Sequence, residues 1–211
     1  MTSQRTISPV DGRVYVERTL ATPVQIEAAL ESARLVQRVW RNVTLAERAA
    51  ILSRFCDAFE SHGDAIAEEL TWQMGRPLRF APSEVRGTLE RARHMIAIAP
   101  AALADIDVGP KAGFHRFLRR EPLGVVFTVA AWNYPYLIAV NRVVPALMAG
   151  NVVVLKHSAQ TPLCAERLEG CLGEAGLPEG AFQALHLSHA DTERVIGDSR
   201  IDFVAFTGSV A

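Results

Sequence analysis

Asn133 stands just beyond an unbroken apolar run, Val125-Val126-Phe127-Thr128-Val129-Ala130, within Trp132-Asn133-Tyr134-Pro135. An asparagine just past a buried strand can donate its amide N–H to a developing oxyanion. It can equally be a loop asparagine that makes a turn. Lys156 closes a second apolar run, Val152-Val153-Val154-Leu155. A lysine there can bond ribose hydroxyls or a phosphate, or simply reach solvent on its aliphatic stem. Gly208-Ser209 follows a third, Phe203-Val204-Ala205-Phe206. Glycine lets an anionic group approach the backbone, and serine adds a hydroxyl and an N–H. A serine in that place also serves as a helix N-cap. Spacing alone leaves both readings open at all three positions.

Other chemistry is less favoured. Cys56, Cys164 and Cys171 are too few and too scattered for a disulfide framework or a zinc site. None lies in a glycine-rich or strand-end setting that would activate a thiolate. His62 and His94 have no metal-ligand spacing to a partner and read as surface or boundary histidines. The Gly-x-Gly-x-x-Gly fingerprint of the common dinucleotide loop is absent from the sequence.

The candidates need strands and helices to hold them. From Val125 onward the pattern alternates: strands at Val125–Ala130, Val152–Lys156, Phe182–Leu187 and Phe203–Phe206, and helices at Tyr136–Met148, Pro162–Ala175 and Asp191–Gly197. Alternation of this kind predicts a parallel, doubly wound sheet with right-handed crossovers. Ligands of such sheets sit at the carboxyl ends of the strands, which is where Asn133, Lys156 and Gly208-Ser209 fall. A strand followed by Gly-Ser normally feeds a helix, and the sequence stops at Ala211 before one.

Four amphipathic helices precede the sheet. Thr22-Pro23-Val24-Gln25 and Thr44-Leu45-Ala46-Glu47 are capping boxes. Ile26, Ala29, Leu30, Ala33 and Val36 carry the buried stripe of the first helix, and Ile51, Leu52, Phe55 and Phe59 that of the second. A third helix starts near Asp64 and stops at Gly75. A fourth runs from about Pro82 past Ile98, with Val85, Leu89, Ala92, Met95 and Ile96 as its stripe. Residues 1–20 read as a hairpin arm turning at Asp11-Gly12. Asp105 to Gly113 reads as a linker, and Phe114 to Arg120 as a strand with one charged face. The expected fold is therefore α/β, a helical layer followed by a Rossmann-like half. Its parts are an arm and helical layer at 1–113, a strand of a small sheet at 114–121, and an incomplete dinucleotide-binding sheet at 122–211.

Composition narrows the partners. The chain has 211 residues, 49% hydrophobic and 21% charged, as in soluble globular domains. Its net charge of −1 shows no basic excess for nucleic acid. Polar breaks keep every apolar stretch below the roughly 20 residues of a membrane span. The polar start is no secretory signal. A cytoplasmic location is the expectation.

Together these pieces resemble the N-terminal part of the NAD(P)-dependent aldehyde dehydrogenase superfamily. The matching residues are Glu121-Pro122-Leu123-Gly124-Val125, Trp132-Asn133-Tyr134-Pro135, Pro145-Ala146-Leu147-Met148-Ala149-Gly150-Asn151 and Val154-Leu155-Lys156. They continue with Gln160-Thr161-Pro162, Ala175-Gly176-Leu177-Pro178 and Phe206-Thr207-Gly208-Ser209, and Gly75-Arg76-Pro77 matches an element of the helical layer. Order and spacing agree along the whole chain, which covers less than half of the usual family protein.

The resemblance implies oxidation of an aldehyde to a carboxylic acid with NAD or NADP as cofactor. A cysteine thiolate attacks the carbonyl and a glutamate activates water. It implies Asn133 as the oxyanion donor, and Val129, Ala130, Ala131 and Trp132 as a wall of the cofactor cleft. Lys156 would hold the adenosine ribose beside Ser158 and Ala159, and Gly208 and Ser209 the pyrophosphate. Ala159 stands where many NAD-using members carry a ribose-binding glutamate, which implies weaker discrimination against a 2′-phosphate. Ala131 replaces a common proline, and the Leu187–Thr192 loop lacks the glycines that often flank the adenine. The family's cysteine nucleophile and glutamate base lie downstream of Phe-Thr-Gly-Ser, so the expectation is a truncated chain inactive alone. Its partners would be like copies, through the strand at Phe114–Arg120, or a complementary C-terminal chain. Trp-Asn-Tyr-Pro argues against another member of the broad fold group, such as an acyl-phosphate reductase.

Overall fold

The computed structural model describes residues 2–209. Val210 and Ala211, where the sequence points toward a further helix, lie outside the described residues. A hairpin of β1 (Ser3–Ile7) and β2 (Val14–Thr19) leads into α1 (Pro23–Trp40), α2 (Leu45–Ser61), α3 (Gly63–Met74) and α4 (Ala81–Ala102). Two short strands follow, β3 (Ile106–Asp107) and β4 (Phe117–Leu118). Then come β5 (Val125–Ala130), α5 (Pro135–Met148), β6 (Val152–His157), α6 (Pro162–Glu174), β7 (Phe182–Ala184), α7 (His189–Ile196) and β8 (Phe203–Phe206).

The large sheet is parallel, in the order β7-β6-β5-β8. Every residue of β5 and β6 is buried, which is why both strands are apolar without alternation. The chain winds from β5 through β6 to β7, then returns to place β8 on the other side of β5. Right-handed crossovers therefore set α5 and α6 on one face and α7 on the other. The direction of winding reverses between β5 and β8, so the crevice at their carboxyl ends is a topological switch point.

Both capping boxes form: the Thr22 and Thr44 hydroxyls accept from Gln25 and Glu47 N–H, and those side chains return a bond to the cap backbone. Ile26, Leu30, Leu52, Phe55 and Phe59 are all buried in one continuous core with β5, β6 and α5. Trp40 is buried too, and its indole N–H donates to the Leu147 carbonyl at 3.2 Å. The hairpin packs on the body. Arg18 makes a two-pronged bond to Glu166 at 2.7 and 2.9 Å, and Tyr15 stacks on Trp72 with centroids 5.7 Å apart.

Two glycines of the matching motifs have structural work. Gly124 has φ 138°, and a Cβ there would fall 1.9 Å from an oxygen of Asp202. That carboxylate accepts from the Val125 N–H at 2.8 Å and pairs with Arg34, tying β5 to the start of β8. Gly150 has φ 83° and closes α5, and Asn151 beside it accepts from the Gly124 N–H at 2.9 Å.

Several element bounds differ from expectation. The strand expected over 114–120 shrinks to Phe117–Leu118, and its partner Ile106–Asp107 lies inside the stretch read as a linker. All residues from 111 to 121 are exposed, so alternation there has no buried face to pack against. The strand expected over Phe182–Leu187 stops at Ala184, because Leu185 N–H is the last donor to β6. Helix α7 begins at His189 rather than Asp191, because the Ser188 hydroxyl caps it by accepting from the Asp191 N–H. No helix among the described residues is long and apolar enough to cross a membrane.

Candidate functional site

A cavity of about 420 Å³ opens at the switch point. Its floor is the end of β5, Val129 and Ala130, continued by Ala131 and Trp132. One side is Lys156 and Ser158 from β6 and the turn after it. The opposite side is Phe206, Thr207, Gly208 and Ser209 from β8, which the Thr207 N–H ties to the Val129 carbonyl at 2.9 Å. Helix α7 closes it with His189, Thr192, Glu193 and Ile196.

Lys156 is the chemically unusual member. It lies opposite Val129 in the β5–β6 register and is only 9% exposed. Among the described residues it has no hydrogen-bond or ion-pair partner, and burial pushes its ammonium pKa down. The stem of Lys156 is buried while its ammonium faces the cavity, where an entering anionic or hydroxyl acceptor would gain a charge-assisted hydrogen bond. Trp132, 51% exposed, offers a flat apolar surface on the same cavity.

The β6–α6 turn behind Lys156 is built on a histidine. His157 is buried; Nε2 donates to the Pro135 carbonyl at 3.2 Å, and Nδ1 accepts from the Ser158 N–H at 2.9 Å and the Thr161 hydroxyl at 3.1 Å. Burial pushes its pKa down to about 4, so the ring is neutral at neutral pH. Thr161, the N-cap of α6, has no side-chain cap; the Leu163 N–H instead donates at 2.9 Å to the side chain of Gln73, at the end of α3.

The β5–α5 turn is held by charge. Arg76 Nη2 donates to the Asn133 carbonyl at 2.9 Å, and its guanidinium lies 4.8 Å from the Tyr134 ring centroid. Arg76 also pairs with Glu84, whose side chain is fully buried and accepts from the Tyr136 N–H at 3.0 Å. Burial pushes the Glu84 carboxyl up, against the opposing pull of Arg76 and the N–H.

None of the three cysteines is a poised nucleophile. All are buried, and burial pushes the Cys56 and Cys171 thiols up to about 11 and Cys164 well above its ordinary value.

The structure brings together Val129, Ala130, Ala131, Trp132, Lys156, Ser158, Gly208 and Ser209 on one cavity. Asn133 and Ala159 are exposed and do not line it. Ala159 offers its carbonyl to the Thr6 hydroxyl at 2.8 Å, which anchors the hairpin to the β6–α6 turn. His189 and Thr192 fall in the Leu187–Thr192 stretch expected beside the adenine, which the Ser188 cap makes largely helical, whereas Glu193 and Ile196 were not anticipated on the lining. His157 and the Arg76–Glu84 pair were also missed. Their roles arise from contacts between distant segments, and only the Gly75-Arg76-Pro77 match drew notice to one of them.

An open parallel sheet flanked by helices, with a cavity at its switch point, is the architecture of a doubly wound α/β fold. The profile of the Aldehyde dehydrogenase family matches residues 1–211, and the chain belongs to that family. It is 34% identical over 209 residues to succinate-semialdehyde dehydrogenase [NADP(+)] 1 of Mycobacterium tuberculosis, covering 97% of this chain and 45% of that protein. The succinic semialdehyde dehydrogenase of Streptococcus pyogenes, solved with NADP+, superposes with a TM-score of 0.90 at 28% identity, over 95% of this chain and 44% of that one. An NAD-dependent benzaldehyde dehydrogenase of Corynebacterium glutamicum gives a TM-score of 0.91 at 26% identity, over 99% and 45%. The chain thus spans less than half the length of these relatives and corresponds to the N-terminal part of the family protein.

Proposed function

We propose that the switch-point cavity is the nucleotide half of an NAD(P) cleft. On this reading the chain serves the oxidation of an aldehyde to a carboxylic acid, with Asn133 as the side-chain donor to the oxyanion. The observation that carries the reading is Lys156, a buried lysine without a partner among the described residues, facing a cavity with Ser158 opposite Gly208-Ser209. The residues fit the cofactor: the cation and hydroxyls suit ribose and phosphate oxygens, and Trp132 and Ile196 supply apolar walls. NAD(P) supplies the hydride acceptor when bound; Lys156 and Ser158 orient its ribose, and the Gly208-Ser209 backbone receives its pyrophosphate. Among the described residues Glu193 is the only carboxylate on the cavity lining, and Ala159 adds none beside Lys156, so NADP+ is accepted as well as NAD+.

The three buried thiols leave the chain without a nucleophile of its own, so it does not oxidise aldehydes alone. The cysteine and the glutamate of the family reaction would come from residues outside 1–211; in the alternative reading a complementary C-terminal chain carries them. Its docking edge is β8, the last strand of the sheet, where Phe203 is 49% and Phe206 59% exposed. The exposed apolar residues Ile106, Phe117 and Leu118 of the small β3–β4 sheet suit contact between copies of the chain. The chain works in the cytoplasm on this account.

Calorimetric titration of the purified chain with NAD+ and NADP+ tests the reading. Saturable binding of both is expected, with no aldehyde-dependent formation of reduced cofactor. Absence of binding with either nucleotide would overturn the cofactor assignment, and turnover by residues 1–211 alone would overturn the assignment of the nucleophile to residues outside them.

A further inference from the structure

The Trp132–Pro135 turn carries Asn133, yet it does not fix itself. Tyr134 is the N-cap residue of α5 and makes no side-chain capping bond. The fixing groups come from the helical layer. Gly75 ends α3 at φ 76°, where a Cβ would lie 2.9 Å from Pro9 Cγ, and this reversal turns Arg76 toward α5. Arg76 is 12% exposed at its side chain and Glu84 is 0% exposed. Arg76 holds the Asn133 carbonyl and covers the Tyr134 ring, while Glu84 takes the Tyr136 N–H. Two opposite charges, Arg76 from the α3–α4 connection and Glu84 from α4, thus grip both sides of one turn and neutralise each other.

A buried ion pair is poor evidence of a need for stability, because an apolar pair of similar volume often serves as well. An apolar pair cannot take a carbonyl and an N–H of the same turn at once. Neither Arg76 nor Glu84 lines the cavity, so they reach it only through the turn. We propose that Arg76 and Glu84 are positioning residues: together they set the orientation of the Trp132–Pro135 turn, and with it the Asn133 amide and the Trp132 wall of the cavity. The consequence for oxyanion binding rests on the function proposed above; the grip on the turn does not.

One amide spectrum of the 15N-labelled full chain reads both. It shows the side-chain NH2 of Asn133, assigned with N133A, and the indole N–H of Trp40, Trp72 and Trp132. Trp40 is buried and Trp72 is stacked on Tyr15, so their signals report the fold. R76K keeps a cation for Glu84 but loses the planar fork that serves carboxylate, carbonyl and ring together. E84Q keeps the shape and drops the charge. The Asn133 and Trp132 signals are expected to move by more than a linewidth or broaden in both variants, while Trp40 and Trp72 stay in place. Unmoved Asn133 and Trp132 signals in R76K would overturn the proposal. Should E84Q lose the Trp40 signal, R76K decides alone, since it retains the charge pair. Addition of NADP+ to the wild type separates the two readings. Variant-sensitive signals that ignore NADP+ keep the clamp and remove the cofactor assignment; NADP+-sensitive signals unmoved in R76K do the reverse.

Discussion

The β5–α5 and β6–α6 turns lie side by side at the carboxyl end of one sheet, and neither helix is capped by its own N-cap side chain. The helical layer supplies the missing acceptors, from Glu84 to the Tyr136 N–H and from Gln73 to the Leu163 N–H. The chemistry differs. The first turn is gripped by a buried ion pair, the second by a neutral amide and a neutral histidine, His157. The first presents exposed Trp132 and Asn133, and the second presents buried Lys156. Charge holds the turn that reaches outward. Neutral groups hold the turn that follows Lys156, whose ammonium adds to the cost of a positive charge on buried His157.

Removing one member of each grip should separate them. E84A leaves the Arg76 guanidinium without its counter-charge and the Tyr136 N–H without its acceptor. A loss of about 3–5 kcal/mol in urea unfolding is expected, since broken buried ion pairs cost that much. A loss no larger than that of an ordinary surface substitution would show the pair to be dispensable.

The second turn should answer to pH. The folded His157 pKa lies near 4, below its ordinary value of 6.5. Below pH 6.5 the unfolded chain therefore takes up a proton that the folded chain refuses. Stability is present in full above pH 6.5 and is lost as pH falls toward 4. The window of two to three pH units corresponds to about 3 kcal/mol. Unfolding midpoints of wild type and H157N across this range provide the measurement, and their difference isolates His157 from the carboxylates. A difference that does not change with pH would place His157 in solvent contact.

Q73A tests the neutral grip itself. It removes the acceptor of the half-buried Leu163 N–H, and a loss of about 1–2 kcal/mol is expected. This is smaller than for E84A because no charge is stranded. Equal losses in the two variants would erase the distinction between the turns.

Much of this arrangement was legible in the residues. The runs at Val125–Ala130 and Val152–Leu155 could only be strands buried on both faces, and their ends fixed where a ligand site should fall. Thr22 and Thr44 announced their helices through local bonds. The rest depended on distance in the chain. Glu84 reads as one more polar residue of an amphipathic helix until α5 is packed beside it. His157 reads as a strand end until Pro135 and Thr161 close around it. The exposed stretch at Phe114–Arg120 failed in the opposite way: it alternates like a strand but has little to alternate against.

The central claim is that Lys156, with no partner among the described residues, presents its ammonium to the cavity for a nucleotide. The dissociation constant of NADP+ for K156M against the wild type tests it most directly. Loss of charge-assisted bonds to the ligand predicts binding weaker by about tenfold or more, in a protein at least as stable as the parent. Equal affinity in the two proteins would contradict the account and return Lys156 to the status of a strand-end residue.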